Sequence, residues 1–178
     1  MTTFAVLEQQ RADLLATVGA WPDGAIAFRP DRHAWSAAEV LDHLVRTERG
    51  VLAAAERGLT APHRRGVRDR VSVLFIDRLF RSDRRVRVPA SVAAAVIPDP
   101  GVDLGRVRRD WDAVREDLAR FLAPLALGEL AAGVFQHPVA GWMSVPQVLR
   151  FFWVHAHHHS FQLARLRAAA DDRAGTLS

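Results

Sequence analysis

The stretch from Phe151 to Leu166, FFWVHAHHHSFQLARL, constrains the fold more than any other part of the chain. Stepping by alternating fours and threes from Val148 reaches Phe152, His155, His159, Gln162 and Leu166, the spacing of a helix seam that faces a bundle interior. Three consecutive seam positions are therefore polar. Each buried polar group left unsatisfied costs ~1–3 kcal/mol, so three together demand a partner, and paired imidazoles most readily share a metal ion. His155 and His159 are one helical turn apart, which lets both rings reach one cation. Two ligands rarely suffice for such an ion. The rest of the chain must supply a third.

The remainder reads as a helical protein of 178 residues, a length that suits one domain with a sizeable core. Phe4, Leu7, Leu14, Leu15 and Val18 give a first helix over Thr3 to Val18, closed by Gly19 and Pro22. A Pro- and Gly-punctuated connection from Trp21 to Ala34 follows. A second helix opens at the capping box Ser36 to Glu39 and runs through Val40, Leu41, Leu44, Val45, Val51 and Leu52 to Gly58. His43 sits two turns into it, at the flank of the apolar stripe, where a side chain can point inward. Leu104, Val107, Trp111, Val114, Leu118, Phe121 and Leu125 define the third helix. Gly133 to Met143 reads as a turn-forming connection, and a second capping box, Ser144 to Gln147, launches the fourth helix.

The fold expected is all-α, an antiparallel four-helix bundle with a long crossover between the second and third helices. Residues 58–101 form that excursion, with a short helix over Val71 to Phe80. Residues 1–170 make the single domain, and 171–178 a frayed tail.

Composition narrows the chemistry. With no cysteine there is no disulfide and no thiolate ligand or nucleophile, which leaves His, Asp and Glu to hold a metal. All 24 basic residues are Arg, so the sequence pI of 11.2 overstates a formal charge of only +4. Arg64, Arg65, Arg68, Arg70, Arg78, Arg81, Arg84, Arg85 and Arg87 crowd the excursion, but Asp69, Asp77 and Asp83 interleave them. A solvated surface is the better reading than a phosphate-binding track, so no nucleic-acid partner is expected. No run approaches the ~18 uninterrupted apolar residues of a membrane span, and the N-terminal stretch lacks the basic-then-apolar order of a signal peptide. The expectation is a cytoplasmic protein with a small-molecule substrate and no membrane partner. Apolar helix surface leaves homodimerisation open.

Three stretches carry a family likeness: WSAAEVLDHL from Trp35 to Leu44, HPVAGWMSVPQ from His137 to Gln147, and HAHHHSFQL from His155 to Leu163. Together they resemble the DinB/YfiT-like superfamily, whose pattern is a Trp-Ser/Thr opening, a His in the following helix, and a last helix bearing H-x-x-H-H-x-x-Q. The likeness spans Trp35 to Leu166 and is most specific in the last helix. It implies the bundle with one long crossover and a divalent ion, zinc or nickel, held by His43, His155 and His159. The last pair is also the pair that seam position selects.

Three neutral imidazoles would leave an open coordination position, as in catalytic zinc sites; closed structural sites use four protein ligands. An ion so held can activate a bound water, whose pKa falls to ~7, or a low-molecular-weight thiol cosubstrate. The resemblance thus implies a metal-dependent transferase, thiol-dependent, or a hydrolase; a non-catalytic metal or small-ligand binding module is the alternative. His158, about 60° round from His155, divides evenly between a supporting role beside the ligands and plain surface, while His157 faces solvent. Gln162 either orients a ligand or caps a helix contact. Glu39 is a cap in preference to an acid, Glu48 lies too far round the helix from His43 to serve as a base, and His137 shapes a turn at the rim. His33 and His63 carry no signal.

Overall fold

The computed structural model describes residues 2–82, 90–126 and 128–177. Of the excursion's charged residues, Asp83, Arg84, Arg85 and Arg87 lie outside these, as does Pro89. The chain is mostly helical: α1 (Phe4–Gly19), the single turn α2 (Asp23–Ile26), α3 (Ala37–Thr60), α4 (Val67–Phe80), α5 (Ala90–Val96), α6 (Leu104–Leu122) and α7 (Val145–Leu177). A 3-10 turn (Glu129–Ala131) precedes a two-stranded antiparallel hairpin, β1 (Phe135–His137) and β2 (Gly141–Met143), which lies within the stretch read from sequence only as a turn-forming connection. No helix among the described residues is long and apolar enough to cross a membrane.

The helix starts follow local chemistry. The Thr3 hydroxyl accepts from Val6 N at the head of α1, and Asp103 Oδ1 accepts from Arg106 N at the head of α6. At α3 both halves of the predicted capping box form, Ser36 Oγ accepting from Glu39 N and Glu39 Oε2 from Ser36 N. The box expected at α7 closes on one side only. Gln147 Oε1 accepts from Ser144 N at 2.9 Å, while the Ser144 hydroxyl donates to that same oxygen and leaves the helix backbone alone.

Other boundaries shift for identifiable reasons. Helix α4 begins four residues before the predicted Val71, because Asp69 Oδ2 takes the Gly66 N–H at 2.8 Å and satisfies the first turn. Helix α3 passes Gly58 to end at Thr60; a side chain at 58 would meet the Val134 carbonyl oxygen at 1.8 Å, so glycine there serves a close approach of the hairpin segment. Helix α7 continues through the expected tail to Leu177, with 171–176 exposed.

The seven-position stripe read on α6 is the one the structure buries: Val107, Trp111, Val114, Leu118 and Phe121 are inside, and Leu104 and Leu125 half-buried at its ends. Fully burying such side chains contributes roughly 1.5–3 kcal/mol apiece. They meet α3 and α7 in two adjoining apolar clusters. One gathers Leu41, Leu44, Trp111, Leu163 and Leu166; the other gathers Leu52, Leu118, Met143, Val148 and Phe152. Helix α1 lies against α6 in the opposite sense, since Glu8 meets Arg115, Arg11 meets Asp112 and Gly19 approaches Leu104. His43 of α3 and His158 of α7 face the excursion, bonded to the Val96 and Ser82 carbonyls.

Candidate metal centre

Helix α3 brings His43 to the face of α7 that carries His155 and His159, and all three are buried, at 3%, 6% and 8% exposure. Their Nε2 atoms converge. His155 Nε2 stands 3.3 Å from His43 Nε2 and 3.2 Å from His159 Nε2, and one ligand atom from each ring lies within 4.8 Å of the others. The pair read from seam position and the third ligand implied by resemblance therefore form one cluster.

The far sides of two rings are fixed. His43 Nδ1 donates to the Val96 carbonyl at 2.7 Å, and His159 Nδ1 donates to Gln162 Oε1 at 2.8 Å. With their protons held at Nδ1, both rings present a bare lone pair at Nε2. His155 has at most one N–H to offer there, so its Nε2 can make a full hydrogen bond to only one of the two neighbouring nitrogens and the other close contact is left without its own proton. A cation satisfies all three at once. Ligands ~2.0–2.1 Å from a tetrahedral zinc stand ~3.3–3.4 Å apart, which matches the two observed separations. The residues present thus fit a divalent ion, and Gln162 and the Val96 carbonyl do for His159 and His43 what outer-shell acceptors do for metal-bound histidines.

The electrostatics point the same way. Burial lowers the His43 pKa, takes His155 well below its ordinary value with the neighbouring imidazoles adding to the effect, and lowers His159 to about 3. All three rings are neutral near pH 7, the form that binds metal. The walls are aromatic. Phe151 stacks on His155 (5.3 Å between centroids, 11° between planes), Phe80 meets His155 edge-on at 5.5 Å, and Trp35 lies 4.9 Å from His43.

The other polar residues sort clearly. His158 is buried beside the cluster, donating from Nδ1 to the Ser82 carbonyl at 2.9 Å, so its side of α7 is covered by the end of α4 and is not plain surface. His157, expected in solvent, is half-buried and lies flat against Trp153 at 5.4 Å. His137 closes the hairpin turn, its Nδ1 accepting from Val139 N and Ala140 N at 3.1 Å each, and burial lowers its pKa to about 4. Glu39 caps α3 as read. Glu48 points away from the imidazoles to Trp111 Nε1 at 2.8 Å and Arg115 Nη2 at 3.0 Å. His63 stacks on Trp142 and His33 is exposed.

Sequence reasoning did not find the Val96 carbonyl, the Phe151 and Phe80 walls, or Thr47. The Thr47 hydroxyl, one turn beyond His43, is buried with no hydrogen-bond partner among the described residues. A carbonyl has no sequence signature, and a buried hydroxyl at a helical position looks like any other threonine.

The sequence model of the DinB superfamily matches residues 6–163, which takes in all but the first two residues of α1, the excursion and every residue of the cluster. The chain belongs to the DinB superfamily. No curated protein and no solved structure gives a match. For this DinB-superfamily chain the buried imidazole triad compatible with a metal ion is the common point of the family assignment and the geometry.

Proposed function

We propose that this protein is a metal-dependent enzyme acting on a small molecule, a thiol-dependent transferase or a hydrolase, with one zinc or nickel ion bound by His43, His155 and His159. The observation that carries the reading is the convergence of three Nε2 atoms, two of them stripped of protons by acceptors behind their rings. Three neutral ligands fall one short of a closed site and keep a face for substrate. The ion's contribution is Lewis acidity, lowering the pKa of a water or of a low-molecular-weight thiol. The chain's own residues bind and orient: Gln162 and the Val96 carbonyl fix two ligand rings, Phe80, Phe151 and Trp35 exclude water, and the Thr47 hydroxyl offers a hydrogen bond to a bound molecule.

Around this site we read a single domain, residues 1–170, in which α1, α3, α6 and α7 make an antiparallel four-helix bundle and residues 58–101 its crossover. We place the protein in the cytoplasm. We expect no nucleic-acid partner; in support, among the described excursion arginines Arg81 pairs with Asp77, and Arg65 bonds to Gln147 and the Ala131 carbonyl.

Elemental analysis of untagged protein, followed by a turnover screen with and without a thiol cosubstrate, tests the reading. About one divalent ion per chain is expected for a site of this ligand number, with metal and turnover both lost in His155→Ala. Protein without stoichiometric metal that also fails to take up added zinc overturns it. One observation favours a second reading, non-catalytic binding of metal or a small ligand: among the described residues the hydrogen bonds of the three imidazoles run to a carbonyl, an amide oxygen and one another, with no carboxylate as general base. Full metal loading with no turnover on thiol-transfer, ester or amide substrates supports that alternative.

A further inference from the structure

The segment from Val96, the last residue of α5, to Gly101 runs along the first three turns of α3 and is fastened there by charge. Asp42 is buried, and its Oδ2 accepts from Asp99 N at 2.9 Å and from Arg46 Nε at 2.7 Å. Arg46 Nη2 reaches Asp99 Oδ1 at 2.6 Å, and Arg106 holds the other Asp99 oxygen at 3.0 Å. Further along, Glu39 Oε1 accepts from Gly101 N at 3.0 Å. At the near end of the same segment the Val96 carbonyl takes the His43 Nδ1 proton. Four residues of α3, at positions 39, 42, 43 and 46, thus touch one strap six residues long.

We propose that Asp42 is the positioning residue of the metal centre: by anchoring the strap at Asp99 it places the Val96 carbonyl behind His43, and so selects the ring tautomer that offers Nε2 to a divalent cation. The inference rests on the metal-site reading for its consequence, but its structural half concerns the His43 proton alone. Nothing else among the described residues is hydrogen-bonded to Nδ1 of that ring. A carbonyl that drifts away leaves the proton free to sit on either nitrogen, and the ring that carries it on Nε2 cannot ligate. Losing such support typically weakens metal affinity 10–100-fold.

The test is made on the full chain with zinc alone as probe, combining a zinc titration against a chromophoric chelator with ring-nitrogen NMR shifts of His43 in metal-free protein. In the wild type the His43 proton is expected at Nδ1. In Asp42→Ala the shifts move toward a mixture of tautomers and zinc affinity falls by about 10–100-fold. Arg46→Met, at a partly exposed position, loosens the strap less and is expected to cost about 3–5-fold, a share of the same effect; it decides the matter if Asp42→Ala does not fold. Glu48→Gln, on the same helix but away from the strap, separates this role from general destabilisation and leaves both readouts unchanged. A His43 tautomer unaltered in the Asp42 and Arg46 variants overturns the inference, as does unaltered zinc affinity, or the same change in Glu48→Gln. If wild-type protein takes up no zinc, the functional reading fails, and the tautomer shifts alone decide whether the strap governs His43.

Discussion

Two of the buried polar clusters on helix α3, centred five residues apart at Glu48 and His43, are built on opposite principles. At Glu48 the charges are matched. Its carboxylate meets Trp111 Nε1 and the Arg115 guanidinium, Arg115 Nε lies 3.0 Å from Glu8 Oε1, and Arg115 is only 4% exposed. Burial pushes the Glu48 carboxyl up while Arg115 and Trp111 pull against it, the signature of an ion pair sealed into a core. At His43 no salt bridge is present among the described residues and three imidazole Nε2 atoms face one another. The first cluster is balanced in charge, although Arg115 Nε and Nη1 are left without a hydrogen-bond partner among the described residues; the second has no charge at its centre and room for a positive one. Burial of polar groups does not by itself mark a site. Several ligand-type atoms of one kind, buried and facing one another with no counter-charge among them, are a stronger mark.

The contrast breaks most sharply at Arg115. Removing one member of a buried ion pair strands the other, so Arg115→Ala is expected to destabilise the fold by ~3–5 kcal/mol. Chemical denaturation measures that loss, and zinc uptake by the folded fraction should stay intact. A large loss of zinc affinity would mean that the two clusters are one.

Acid tests the imidazoles next. Their native pKa values lie below the ordinary 6.5 of the unfolded chain, so above that pH neither state takes up these protons and stability is flat. Below it the unfolded chain binds protons that the native rings refuse, and stability falls as pH drops from 6.5 toward the native value of about 3 for His159. The slope reaches up to ~1.4 kcal/mol per pH unit for each ring. Thermal unfolding of metal-free protein between these limits should show it, with a shallower fall in His159→Gln. An unchanged slope in that variant would remove His159 from the account.

The smallest effect concerns a single acceptor. Gln162→Leu leaves the fold in place but frees the His159 Nδ1 proton, and zinc affinity should drop by about 10-fold, roughly 1.4 kcal/mol. Affinity equal to wild type would reduce Gln162 to a helix contact.

Legibility in the sequence followed the kind of signal each feature leaves. Periodicity exposes side chains that share a face, which is why His155, His159 and Gln162 stood out along α7 and the whole buried stripe of α6 could be read. Capping chemistry is local, so Ser36 and Glu39 announced the start of α3. His43 needed the family likeness, since a histidine at the edge of a stripe has no distinguishing spacing. What stayed hidden was tertiary: the approach of Val96 and Ser82 to two imidazoles depends on how the excursion packs, and backbone oxygens are the same at every position. His157 was misjudged because helical phase gives direction and not neighbours; Trp153, one turn earlier, covers it.

The three converging imidazoles are not restrained alike. His43 and His159 are pinned from behind by hydrogen bonds, whereas His155, among the described residues, has both of its hydrogen-bond contacts at Nε2 and is otherwise wedged between the face of Phe151 and the edge of Phe80. Flat hydrocarbon resists tilting but permits sliding in the ring plane. An incoming ion would therefore find two stationary jaws and one that travels, and the size of cation accepted would be set by how far the phenyl ring of Phe151 lets that third jaw move.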